Sequence, residues 1–360
     1  MEKGITNRQM VLIMFLVVSA FRTMDIPQMA AITMGRSGWI VILLYAVPFS
    51  LVAVMATKLN NMFQDMTLFE YGQILLGKVL SWFLCILLIV FYFSVLVYLN
   101  ESMSNIITTD LLPQTQPFLT MGLVIALFGF VVYRGTETMA RLFELMGAMY
   151  LAVMLLLCLL LLTQSEITNI LPLYNPNEGS QLKDALLPFG IVYGGMDLFL
   201  MIPFTNRNKG APKTAFFTML AIAVQFVLVT EGSIGILGVN NAMVYKDTFI
   251  QAIKLADAPV IERTDVLYMT VGLGSMFAVL IALIHSIVGI VTRMFPSAKR
   301  SLIVIIICLI NYIATLAAFG IPAYRSLFKN IVPYLSLLFT GVLPALLYLT
   351  ASVKKRIGAI

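Results

Sequence analysis

The sequence predicts an all-α integral membrane protein of about ten transmembrane helices. They form two inverted sets of five, with the first and sixth helices broken. Three observations predict this. Hydrophobic residues fill 60% of 360 positions, charged residues only 11%, and mean hydropathy is +0.97. A soluble domain carries about a quarter charged residues, so lipid must cover this surface. The apolar runs are continuous and about 20 residues long, enough for a helix to cross the bilayer, and they lack the alternation of a transmembrane barrel. Two of these runs, five spans apart, are interrupted near mid-depth.

Taken in order, the spans lie near 9–34 (interrupted), 38–57, 79–101, 117–134, 139–163, 184–205 (interrupted), 212–236, 264–292, 300–320 and 331–352. The whole chain, 1–360, reads as a single transmembrane domain, with one repeat over about 9–163 and the second over about 184–352. Residues 1–34 are expected to be a retained first helix, since their apolar stretch is too long for a signal peptide and further spans follow. In the link 58–78, Met62, Met66, Phe69 and Leu76 recur at near-helical spacing among polar residues, which predicts a short interfacial amphipathic helix. The link 237–263 is expected to be partly helical around FIQAIKLADA.

The net charge of +6 reflects topology rather than nucleic-acid binding. With the N-terminus inside, about 15 Lys and Arg fall in cytoplasmic segments and about 7 outside, which places both termini in the cytoplasm. Cys85, Cys158 and Cys308 all sit in apolar runs without a CxxC spacing, so neither a disulfide framework nor a metal site is expected.

The first span is broken at Arg22-Thr23-Met24-Asp25-Ile26-Pro27 and the sixth at VYGGMDLF, residues 192–199. An odd repeat length inverts the second half, so breaks at the first helix of each half fit an inverted-repeat transporter fold. At 1.5 Å per residue, Arg22 lies roughly 20 Å from the inner start of its span and Gly194 roughly 15 Å from the outer start of its own. Broken backbone at that depth is tolerable where it lines a cavity. The N-terminal end of one half-helix suits a carboxylate and the carbonyl end of another an ammonium, a combination that describes a zwitterionic amino acid. Plain kinks are also common in membrane helices, and Arg22 and Asp25, at i,i+3, can pair with each other as readily as contact a ligand.

The candidate ligand-binding residues are therefore Arg22, Thr23, Met24, Asp25, Tyr193, Gly194, Gly195, Met196 and Asp197, with Tyr92 at mid-depth on the third span and Tyr98 as a gate nearer the outside. Asp197 either holds an ammonium group or satisfies freed backbone amides. His285, the single histidine, and Glu231 are candidates for a proton or gating role, although a lone intramembrane His is more often a helix–helix contact. Glu144, three residues after Arg141, is expected to pair with it. No nucleophile–base motif, ligand cluster or P-loop is visible, so the sequence predicts neither an enzyme nor a cofactor.

Five stretches carry a family resemblance across nearly the whole chain. They are ITNRQMVLIMFL (5–16), YRGTETMARLFELMG (133–147), NILPLYNPNEG (169–179), YGGMDLFLMIPF (193–204) and IERTDVLYM (261–269). In their order and positions they resemble the B subunit of bacterial spore germinant receptors, a branch of the amino acid–polyamine–organocation superfamily. The resemblance implies a LeuT-like fold in the spore inner membrane, beside an A-type membrane subunit and a C-type lipoprotein. It also implies recognition of a small nutrient germinant, usually an amino acid, that triggers germination. The chain departs from superfamily transporters at the first break, which contains no Gly. Either Arg22 supplies the carboxylate contact or an Arg22–Asp25 pair partly fills the pocket. The alternative function is proton- or cation-coupled secondary transport of amino acids, which would use the same broken helices. A channel is disfavoured, because no charge ring or filter-like repeat is present.

Overall fold

The computed structural model describes residues 6–19, 22–172, 182–201, 208–245, 247–256, 264–320 and 330–356. Parts of the 169–179, 193–204 and 261–269 stretches lie outside these residues. The regular elements among the described residues are all helices, without strands. Eight segments are long and apolar enough to cross a membrane, and two further spans are the interrupted ones.

The first span opens with α1 (Asn7–Met14), capped by Thr6 and Gln9 in a reciprocal capping box. It widens into a π-helical stretch, Phe15–Ser19, and resumes as α2 (Ile26–Met34). Pro27 lies in the first turn of α2, where no intrahelical acceptor awaits its missing N–H. Its role is thus to start the second half-helix. Helix α3 (Gly38–Met62) follows directly and runs unbroken through Pro48.

A short helix, α4 (Leu68–Leu76), fills the link after α3, again with a capping box, from Thr67 and Glu70. Its boundaries differ from the expected amphipathic pattern: Met62 closes α3 and Met66 is exposed, while Leu68, Phe69, Tyr71 and Leu75 are buried. The helix is docked on the bundle by Arg293 Nε to Glu70 (3.2 Å) and by Lys354 Nζ donating to the Ile74 carbonyl (2.8 Å). Gly77, at φ 87°, then turns the chain into α5 (Lys78–Ile106).

Next come α6 (Pro117–Arg134), α7 (Thr136–Gln164) and the single turn α8 (Ile167–Ile170). The sixth span is represented by α9 (Leu182–Phe189) and a 3₁₀ segment, Met196–Leu200. The second half continues with α10 (Ala211–Leu237), the short α11 (Val239–Val244) and α12 (Thr248–Leu255), then α13 (Thr264–Met294), α14 (Arg300–Gly320) and α15 (Asn330–Lys355). A π-helical turn, Leu337–Val342, interrupts α15.

The packing displays the two-fold relation between the halves. Helix α10 lies along α3, α13 along α5 and α14 along α6. Each pair joins helices that hold the same place in their set of five, as expected around a pseudo-two-fold axis. The most apolar windows of α13 and α10 are 72% and 61% buried, against 33% for α6, α7 and α14, so the first two are central and the others border lipid.

One expected pair is corrected. Arg141 bonds Glu137 on its own helix (2.6 Å), and Glu144 instead receives Arg8 (3.4 Å) and Gln9 (3.2 Å) from α1. Arg141 reaches back one turn to i−4, and that leaves Glu144 to tie α7 to the start of the first span. A second tie closes the same end. The Asn61 side chain exchanges two 2.8 Å hydrogen bonds with the Asn208 backbone, and the Asn208 amide reaches Asn7.

Candidate functional site

The two breaks meet in the centre of the bundle. Gly195 has φ +93°, and a Cβ there would lie 2.9 Å from Val17 Cγ1 on the π-helical stretch of the first span. Glycine is required at this point twice over, by conformation and by space.

At the first break, Ser19, Arg22 and Thr23 are joined by turns: the Arg22 and Thr23 amides both donate to the Ser19 carbonyl, and Ile26 N–H donates to the Arg22 carbonyl (2.9 Å). The freed backbone is thus partly satisfied locally. Side chains finish the work. Thr23 Oγ1 bonds the Ser19 carbonyl (2.5 Å) and the Tyr150 hydroxyl (3.2 Å), Gln225 Nε2 donates to Tyr150 (3.1 Å), and Ser19 Oγ donates to Gln225 Oε1 (3.4 Å). This ring links the broken span to α7 and α10, and all four residues are buried.

Arg22 Nη1 pairs with Asp25 Oδ2; the Arg22 side chain is 13% exposed and that of Asp25 32%. Tyr98 of α5 lies within the electrostatic reach of both. Met24 packs near Gly272 of α13, and its carbonyl accepts from Phe249 N–H (3.4 Å), which seats α12 on the break.

The sixth-span break is organised around Asp197, which is 2% exposed. Thr340, on the π-helical turn of α15, donates to Asp197 Oδ1 (3.1 Å). The Tyr92 hydroxyl and the backbone amides of Gly195 and Asp197 lie within hydrogen-bonding reach of this carboxylate. Tyr193 points elsewhere: its hydroxyl donates to the Ile42 carbonyl (2.9 Å) and its ring stacks on Phe49. Gly194 N–H closes a turn onto Ile191, and Met196 is buried in the core. Asn60 holds the emerging strand of backbone through the Phe199 carbonyl (2.8 Å).

The residues singled out from sequence therefore fall into two groups. Arg22, Thr23, Met24, Asp25 and Tyr98 surround the first break; Tyr92, Gly195, Met196 and Asp197 form the second. Tyr92 and Tyr98 are six residues apart on α5, so the groups are separated by about 9 Å along the helix axis. His285 belongs to neither. It lies thirteen residues beyond Gly272 on α13, about 20 Å along the axis, with Nε2 3.5 Å from Thr136 and with Arg293 and Arg300 nearby. Glu231 is one to two turns beyond Gln225 on α10, and its carboxylate oxygens are buried without a partner among the described residues.

Tyr150, Gln225 and Thr340 were not singled out from sequence. Gln225 stands in the apolar run AIAVQFVLV, and an amide at that depth is itself a signal of an interhelical contact. Thr340 carries no such signal, because helical Thr hydroxyls ordinarily bond back to their own helix.

The family described as spore germination protein matches residues 4–319. The chain belongs to this family of spore germination proteins. Among Bacillus subtilis (strain 168) relatives, spore germination protein YndE is 21% identical over 98% of this chain and 97% of the relative. Spore germination protein KB is 25% identical over 89% and 88%, and spore germination protein B2 is 21% identical over 71% and 70%. Among solved structures, a Na⁺-coupled sialic acid symporter in a substrate-bound, outward-open state superposes with a TM-score of 0.65 at 11% identity, over 94% of this chain and 78% of the symporter. That likeness establishes the LeuT-like fold of this germination protein. By their names these proteins are germination proteins and a transporter.

Proposed function

We propose that this chain is the membrane subunit of a spore germinant receptor and recognises a small zwitterionic nutrient, such as an amino acid, at the first break. The observation that carries the proposal is the Arg22–Asp25 pair. It already has the charge pattern of a zwitterion, in a break with no glycine through which backbone could approach a carboxylate. An arriving amino acid exchanges partners with it: the ligand carboxylate takes the Arg22 guanidinium, and the ligand ammonium takes Asp25. No net charge is buried by this exchange, so the desolvation cost is small compared with placing one unpaired ion there. Parting Arg22 from Asp25 loosens the turn joining α1 to α2. The ligand thereby favours one packing of the bundle over another, and only such a differential affinity can shift the equilibrium.

On this reading the protein works in the spore inner membrane with both termini in the cytoplasm. It passes the shift to an A-type membrane subunit and a C-type lipoprotein. Deleting the gene from its host and presenting spores with single amino acids tests the biological role. The expected result is loss of germination with one nutrient class, and normal germination with every nutrient refutes it. With purified protein, the matching amino acid should raise the melting temperature, since ligand at 100 times Kd stabilises the folded state by about 2.7 kcal/mol. Arg22→Ala should abolish that shift.

A second reading, coupled transport of the same solute, is favoured by the buried Asp197 carboxylate beside Tyr92, an intramembrane acid suited to carrying a proton or cation. Proteoliposomes would then accumulate labelled amino acid down an imposed proton gradient, and Asp197→Asn would stop uptake. Binding without accumulation would leave the receptor reading alone.

A further inference from the structure

A furrow of about 520 Å³ runs between α6 and α14 on the lipid-facing side of the bundle. Its floor is made of small residues, Gly122, Ala126 and Gly129, facing Cys308 and Tyr312. From Tyr312 to Ser301 it spans eleven residues of α14, about 16 Å at 1.5 Å per residue. That is close to half of a ~30 Å hydrocarbon core, the depth of one leaflet. Its walls are apolar almost throughout, with Ile125, Phe130, Val304, Ile305 and Leu309 along the sides, which suits a hydrocarbon chain.

One end of the furrow is strongly basic. Tyr133 and Ser301 close it, and the residues next to them in the chain are Arg134 and Arg300, with Lys299 adjoining. All three cations are exposed and none is in an ion pair among the described residues; Arg134 lies over the Phe130 ring, 5.3 Å from its centroid. The placement of Lys299 and Arg300 is unfavourable by itself. They stand at the N-terminal, positive end of α14, whose first turn holds no acidic residue. Cations clustered at a positive helix end are stabilised by an anion bound among them.

We propose that this furrow binds an anionic phospholipid, one acyl chain lying along Gly122, Ala126 and Gly129 and the phosphate held by Arg134, Lys299 and Arg300. Apolar lining, length and terminal charge all match that one molecule. The site is separate from the two helix breaks and does not depend on the germinant.

The test is native mass spectrometry of the purified chain from vesicles of equal phosphatidylglycerol and phosphatidylcholine. The wild-type protein should retain phosphatidylglycerol in preference. Replacing Arg134, Lys299 and Arg300 by Gln should weaken that retention by roughly fivefold for each cation removed, with helicity unchanged by circular dichroism. Ala126→Phe, at an exposed position, should fill the furrow and displace the lipid while leaving the cations in place. Equal retention of the two lipids by the wild type, or undiminished phosphatidylglycerol on the triple variant, overturns the proposal. Self-association that Ala126→Phe abolishes while lipid retention stays the same would assign the furrow to a second copy of the chain, and overturns it as well.

Discussion

The two broken helices occupy equivalent places in the repeat yet solve the same problem by opposite means. The first break has no glycine and satisfies itself with side chains: an ion pair, Arg22–Asp25, and a ring through Thr23, Tyr150 and Gln225. The sixth break uses glycine to turn the backbone and places a carboxylate, Asp197, deep in the bundle. Asp25 is 32% exposed, whereas Asp197 is 2% exposed. A self-satisfied break that solvent can reach is one whose bonds a solute can exchange. On the proposed second reading, a buried carboxylate at the other break is one that a proton or small cation can complete.

The largest effect should come from Gly195→Val. It forces a β-branched residue into positive φ, at a cost of about 1–3 kcal/mol, and drives its Cβ into Val17. The melting temperature in detergent should fall sharply, and an unchanged melt would show that the two breaks are not packed together. Next comes a double-mutant cycle on the first break. Arg22→Ala and Asp25→Ala should each destabilise, and the double variant should recover part of the loss, with a coupling of about 1–2 kcal/mol after discounting for the exposure of Asp25. Additive losses would mean that the pair does not hold the turn.

At the closed end, Asn61→Ala removes both hydrogen bonds to the Asn208 backbone and should cost about 1–2 kcal/mol in a denaturant or thermal melt. The smallest effect is expected from Asp197→Asn. The amide keeps the acceptor for Thr340 and offers a donor toward Tyr92, so the melt should move by less than about 1 kcal/mol. A large destabilisation there would make Asp197 a structural residue and sharpen the contrast in the other direction.

Much of the scaffold was legible before any coordinates. The range 117–134 coincides with α6 and 300–320 with α14, because a lipid-bordered helix must be apolar along its whole length. Both breaks were legible for the converse reason, since charge or paired glycine at mid-depth is costly unless it is used. Partners across helices were not legible. Glu144 takes Arg8 rather than Arg141, because Arg141 is satisfied at i−4 by Glu137. The face of α4 was misassigned at Met62 and Met66, which belong to the end of α3 and an exposed turn.

The sequence by itself determined that this protein spans the membrane about ten times, that the spans divide five and five, and that the first helix of each half is interrupted. Hydropathy and local backbone chemistry decide these matters residue by residue. Only the tertiary structure decided that Tyr150 and Gln225 seal the first break and that Thr340 reaches Asp197. Those contacts join residues up to 206 positions apart, in the case of Ser19 and Gln225. They are fixed by how the helices pack, which no local pattern encodes.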